Sequence, residues 1–152
     1  MIFHGSTPVD EVVVHTTATA SNWFKGKTAQ DMVREITSWH RKNGWRTIGY
    51  HGLIAPDGSR AFGRPFNEIG AHVKEKNRGT LGITLVPINE VDPHHIGRFE
   101  DYYTKEQRET LKDWIAQIDG LTDIKRVRGH NDYTNAKTCP GFRVRSEDWM
   151  PR

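Results

Sequence analysis

Three side chains stand out as a set that could hold a metal: His15, His130 and the sole cysteine, Cys139. Two imidazoles and a thiolate suit Zn²⁺, and three protein ligands leave the fourth tetrahedral position to water, the arrangement of a catalytic rather than a structural site. Their spacing carries no signature of its own. They come from distant segments, no paired-cysteine motif announces them, and a buried histidine or cysteine is more often simply packed. Their setting says more. His15 closes one apolar run and His130 follows another, and sheet proteins present functional groups where strands end in loops. Cys139 lies in the turn Lys137-Thr138-Cys139-Pro140-Gly141, whose proline and glycine can direct the thiol inward and whose Lys137 would favour the thiolate.

The elements that must position these groups can be read from periodicity. Val9 to Thr16, with Val12, Val13 and Val14 consecutive and β-branched ahead of His15, reads as a strand covered on both faces. Thr28 with Asp31 forms a capping box. Met32, Val33, Ile36, Trp39 and His40 then share one stripe, which predicts a helix from Ala29 to Asn43. Ile48 to Ala55 and Ser59 to Gly63 flank Pro56-Asp57-Gly58 and read as an antiparallel hairpin. Leu81 to Val86 is a short buried strand, and Asn89 to Tyr103 has no usable period and reads as a long surface loop. Thr104 and Gln107 form a second capping box before a helix with Leu111, Trp114, Ile115 and Ile118 on one face, ended by Gly120. Ile124 to Arg128 is a further strand, and Gly129 to Arg152 is rich in turn formers. The order strand, helix, hairpin, strand, helix, strand implies an α/β fold, a central mixed sheet flanked by helices, in a single domain over residues 1–152.

Composition agrees with that class. The chain has 152 residues, 35% of them hydrophobic and 27% charged, the size of one domain. Five Trp, four Tyr and six Phe are too many for a disordered chain, despite a mean hydropathy of −0.73. One cysteine excludes a disulfide scaffold. No apolar run approaches the roughly 18 residues needed to span a bilayer, so no membrane insertion is expected. The stretch Met1 to Gly5 lacks the layout of a signal peptide, so synthesis in a cytoplasm is expected. The charge of +3 is spread along the chain rather than blocked.

Several short segments together carry a family resemblance. Val13-Val14-His15-Thr16-Thr17-Ala18-Thr19, Trp39-His40-Arg41-Lys42-Asn43-Gly44-Trp45, Ile48-Gly49-Tyr50-His51, Gly70-Ala71-His72, Leu81-Gly82-Ile83, Gly129-His130 and Lys137-Thr138-Cys139-Pro140 occur in the order seen in the zinc-dependent N-acetylmuramoyl-L-alanine amidases. The chain resembles the branch of small phage lysozyme-type amidases, whose fold is shared with the peptidoglycan recognition proteins. The match spans about residues 10–142. The resemblance implies that His15, His130 and Cys139 hold Zn²⁺, that Tyr50 and Lys137 are catalytic, and that His72 and Asn77 line the groove for the muramyl peptide. It also implies a fold with the metal at the floor of a cleft.

Those roles make chemical sense. An amide is a poor electrophile. Zinc lowers the pKa of bound water from 15.7 to about 7 and so supplies hydroxide near neutral pH. The Lys137 ammonium could meet the developing negative charge, and a phenol such as Tyr50 could orient the water or relay its proton.

Other residues have plainer readings. His51 follows Tyr50 on a strand and should point to the opposite face in a structural role. His40 is expected to be packed and hydrogen-bonded, and Trp39, Trp45 and Trp114 are expected in the core. His94 and His95 fall in a polar loop and read as solvated. Lys125, Arg126, Arg128, Arg143 and Arg145 have no interleaved aromatics or docking motif, so no nucleic acid is expected. Neither Asp10 and Glu11 nor Glu68 and Glu75 show any sign of pairing as a glycosidase would require.

The leading expectation is a monomeric endolysin that acts on peptidoglycan, cutting the amide between the lactyl group of N-acetylmuramic acid and L-alanine. It would be made in the host cytoplasm and reach the wall through a membrane pore. A cytoplasmic amidase recycling anhydro-muropeptides is disfavoured, because the resemblance implies aspartate at the third ligand and a glutamate helper in that group, where this chain has Cys139 and Tyr50. A non-catalytic peptidoglycan-binding module of the same fold is the reading from a different class. Such modules commonly lack the cysteine.

Overall fold

A computed structural model describes residues 1–151. Seven strands form two sheets. The first is a small antiparallel pair, β1 (Phe3–His4) with β2 (Thr7–Pro8), which the sequence reading did not include. The main sheet contains β3 (Glu11–Thr16), β4 (Gly52–Ile54), β5 (Arg60–Phe62), β6 (Thr80–Leu85) and β7 (Arg126–Gly129), in the order β5-β4-β6-β3-β7. All contacts are parallel except β4 with β5, the expected hairpin. It is therefore a mixed sheet, as the element order implied.

β3 is buried at every position, which accounts for its three consecutive valines, and Glu11 and His15 are buried with them. Its alternate residues nevertheless face different surroundings. Val12 and Val14, with Leu81, Ile83 and Leu85 of β6 and Val127 of β7, join the core built on α3 (Lys105–Leu121). On the other face, α1 (Ala29–Lys42) packs against β4 and β5 through Met32, Val33 and Ile36 with Leu53 and Ala61. Because α1 lies over the β4–β5 side, the remaining part of that face, where β6, β3 and β7 run together, is free to carry polar side chains. His15, Gly82 and Thr84 belong to the face opposite α3 by strand alternation.

Both helix starts carry the expected capping boxes, Thr28 with Asp31 and Thr104 with Gln107. Helix α1 ends one residue before the predicted end, with Asn43 as its cap. Helix α3 runs through Gly120 to Leu121 because the Thr122 N–H closes onto the Ile118 carbonyl, so the glycine does not terminate it. The segment Asn89 to Tyr103 is not all loop: α2 (Phe99–Tyr102) buries Phe99 and Tyr102. The tail includes a 3₁₀ turn at His130–Asp132 and α4 (Ser146–Trp149), whose Trp149 packs near Phe99 and Phe142. Trp114 is core as expected, whereas Trp39 and Trp45 are exposed. Trp39 lies at the exposed edge of the helical stripe and Trp45 beyond the end of the helix, where residue type alone does not report burial.

Candidate metal centre and substrate cleft

Residues from opposite ends of the chain meet at the C-terminal ends of β3 and β7. His15 is the penultimate residue of β3 and His130 directly follows β7; these strands are adjacent and parallel, so their ends coincide. Their rings lie 4.9 Å apart between centroids. Cys139 returns to the same place because the intervening loop is pinned at its neck. Asn131 donates its backbone N–H to the Cys139 carbonyl at 2.8 Å. Its side-chain amide donates to the carbonyls of Thr138 and Phe142 at 3.0 and 3.1 Å. From the other side, the Tyr103 hydroxyl donates to the Pro140 carbonyl at 2.7 Å. Cys139 Sγ then accepts the Thr16 N–H at 3.2 Å and sits 3.9 Å from His15 Nδ1.

The nitrogen and sulfur donors of His15, His130 and Cys139 all fall within 4.8 Å of one another. Donors around a tetrahedral zinc with bonds of about 2.0–2.3 Å are separated by roughly 3.3–3.8 Å, so the cluster needs only a small contraction to fit. Its protonation suits a cation too. Burial, followed by the neighbouring His72, His130, His51 and Lys137, holds His15 well below the ordinary imidazole value, and burial together with Lys137 lowers His130. Both rings are therefore neutral at pH 7 with lone pairs to give. Cys139 departs from expectation. Burial pushes its thiol up to about 11, and the Thr16 N–H and Lys137 offset this only in part. Without a metal the sulfur is a protonated thiol; Lys137 does not make it a thiolate, and a bound metal must displace the proton.

Tyr50 and Lys137 border the same cavity of about 260 Å³ as the three candidate ligands. The Tyr50 ring is 5.2 Å from that of His15. Burial, with a further push from Cys139, holds the phenol above its usual value, and Thr84 offsets this only partly. Tyr50 is thus a hydrogen-bond donor at neutral pH rather than a base. A second cavity of about 510 Å³ adjoins the first, sharing Trp45, Ala71, His72, His130 and Lys137 with it and adding Val73, Lys74, Asn77 and Thr134. Together they form a cleft.

His72 and Asn77 both line that cleft, yet both ring nitrogens of His72 and the Oδ1 of Asn77 are engaged within the protein. His72 bonds His15 and Thr80. Asn77 Oδ1 accepts the backbone N–H groups of His72 and Val73, both at 2.9 Å. His51 is fully buried with Nε2 on the Glu68 carbonyl and Nδ1 accepting the Gly82 N–H, the structural role expected of it. His40 accepts the Gly49 N–H and its ring backs that of Trp45 at 4.5 Å.

Trp45, Asn131 and Tyr103 bear on the cleft without having been singled out as functional. Trp45 follows a helix-ending Asn-Gly, where an apolar residue outside the periodic stripe is a usable signal. Nothing local marks Asn131 or Tyr103, because their partners are distant in sequence.

The profile for N-acetylmuramoyl-L-alanine amidases matches residues 5–142. The chain belongs to the N-acetylmuramoyl-L-alanine amidase family. Among curated relatives of this amidase, the endolysin of Enterobacteria phage T3 is 30% identical over 92% of this chain and 85% of its own, and that of Escherichia phage T7 is 31% identical over 88% and 81%. Among solved structures, the wild-type Drosophila peptidoglycan recognition protein LB superposes with a TM-score of 0.74 at 25% identity, covering 97% of this chain and 83% of that one. The amidase is accordingly a peptidoglycan hydrolase.

Proposed function

We propose that this amidase is a zinc-dependent endolysin that hydrolyses the amide between N-acetylmuramic acid and L-alanine of the stem peptide. The observation that carries the reading is the convergence of His15, His130 and Cys139 within 4.8 Å at the floor of a cleft bordered by Tyr50 and Lys137. Zinc, when bound there, supplies a Lewis acid and lowers the pKa of water to about 7. The protein's own groups supply the rest. Neutral imidazoles at 15 and 130 and the Cys139 sulfur hold the cation. Lys137 stands at the cleft wall, where its ammonium faces the charge that develops on the scissile carbonyl oxygen, an effect of about 3 kcal/mol when such a donor is lost. The Tyr50 phenol, kept protonated by burial, donates a hydrogen bond and orients the attacking water. The adjoining cavity, walled by Trp45, Val73 and Asn77, is the place for the muramyl peptide beyond the cleaved bond.

The endolysin relatives support release from the host cytoplasm and action on the wall, and among the described residues no helix is long and apolar enough to cross a membrane. Metal analysis beside mass spectrometry of digested sacculi tests the reading. One zinc per chain and new free amino termini on L-alanine are expected. A protein that binds peptidoglycan but holds no zinc and cleaves nothing would be a recognition module instead, and cleavage confined to small anhydro-muropeptides would make it a recycling amidase.

A further inference from the structure

His72 lies behind His15, away from Cys139 in bonding sense: His15 Nε2 meets His72 Nδ1 at 2.8 Å, while His15 Nδ1 is the atom facing Cys139 Sγ. The far nitrogen of His72 meets Thr80 Oγ1 at 3.2 Å. Thr80 in turn lies 2.8 Å from the Lys76 carbonyl and 3.1 Å from that of Asn77. These carbonyls can only accept, so the one hydroxyl proton of Thr80 is committed to them. Thr80 Oγ1 must then accept from His72 Nε2–H. With its proton on Nε2, His72 presents a lone pair at Nδ1, and His15 must donate Nε2–H to it. The proton of His15 is thereby placed on the nitrogen remote from Cys139, and Nδ1 is left bare.

The seat of His72 is built for this orientation. A Cβ on Gly82, in the middle of β6, would come within 2.5 Å of His72 Cγ, and one on Gly70 within 2.7 Å of His72 Cδ2. Mid-strand glycine weakens a strand and marks a close approach; here the approaching group is the His72 ring. Asn77 Oδ1 holds the backbone at 72 and 73 from the other end.

We infer that His72 is a positioning residue that, through the run Lys76 carbonyl, Thr80 hydroxyl and His72 imidazole, sets the tautomer of His15 and aims its Nδ1 lone pair at the metal position. The inference rests on the proposed zinc centre for its consequence but not for its geometry. Partners of this kind fix ligand orientation, and their loss typically costs 10–100-fold in metal affinity.

The test uses the whole chain with four proteins: wild type, His72→Phe, His72→Asn and Thr80→Val. Long-range ¹⁵N–¹H spectra of the metal-free proteins report the tautomer of His15, and competition with a chelator reports zinc affinity. Wild type should show His15 protonated at Nε2. His72→Phe fills the ring's space without an acceptor, so it should lose that preference and bind zinc 10–100-fold more weakly. His72→Asn, whose amide oxygen falls near the position of Nδ1, should recover much of both, and Thr80→Val should fall between. If folded His72→Phe keeps the wild-type tautomer and zinc affinity, the inference is overturned. The spectra of metal-free protein keep the two readings apart: a chain that binds no zinc yet shows the relay refutes only the proposed function.

Discussion

The backbone N–H of Thr16 donates to Cys139 Sγ at 3.2 Å, joining the end of the first long strand to a turn near the end of the chain. That contact, made by the protein alone, places the sulfur beside His15. Cys139→Ser should therefore leave the fold intact while removing the soft donor. Zinc content by elemental analysis should drop from one equivalent to nearly none, and amide cleavage should disappear. A thermal midpoint that rises with added zinc in wild type should become insensitive to it in the variant, since only a ligand that binds the native state shifts the midpoint.

Tyr50 and Lys137 border the same cavity as His15, His130 and Cys139 without belonging to the candidate donor set. Lys137→Gln should lower kcat by about 10²–10³, the cost of losing one donor aimed at developing charge, and Tyr50→Phe, which loses the group that orients the water, should lower it by about 10²-fold or more. Zinc content should stay at one equivalent. Steady-state kinetics with a soluble muramyl peptide, read beside metal analysis, separates this outcome from loss of the metal.

His51 makes stability pH-dependent. Burial lowers it from 6.5 to about 4, with its Glu68 carbonyl bond opposing the shift and His4 and Arg64 adding to it; Glu68 also opposes it by charge. Between those two values the unfolded chain binds more protons than the native one, so stability is full above about 6.5 and falls as pH drops toward 4. At about 1.4 kcal/mol per pH unit the loss from this residue approaches 3 kcal/mol. Chemical denaturation of metal-free protein across that range should show the slope, and His51→Gln should flatten it. An unchanged slope in the variant would assign the acid sensitivity elsewhere.

Glu11 is buried at the start of β3, where Arg126 of β7 and the Tyr133 hydroxyl both bond its carboxylate. Tyr133 rides on the same loop as Lys137. Tyr133→Phe should cost about 2 kcal/mol in urea unfolding, the value of a hydrogen bond to a charged group. His15, His130 and Cys139 are untouched by this change, so metal content should hold.

The elements were legible wherever a local physical rule decides them. Two capping boxes start α1 and α3 where the side chains can reach their own backbone, and the three consecutive valines of β3 reflect burial on both faces. The candidate ligands His15, His130 and Cys139 could be singled out by residue type and by their places at strand ends and a turn, but only the family resemblance grouped them firmly, because residues 15, 130 and 139 share no spacing that local chemistry imposes. Trp45 reads in sequence as a core residue and stands at the cleft instead, since periodicity does not say which side of a helix end a neighbouring strand will cover.

By itself, then, the sequence determined residue types, the two long helices with their caps and the strands of the main sheet, all governed by interactions within a few positions. Tertiary structure decided what those residues do to one another. Parallel pairing of β3 with β7 brings His15 beside His130. Asn131 and Tyr103 bend the intervening loop so that Cys139 joins them. Burial then reverses the expected thiolate into a thiol, and the contact from His15 to His72, 57 positions on, leaves Nδ1 free. Such effects depend on desolvation and on groups far apart in sequence, and both exist only once the chain has folded.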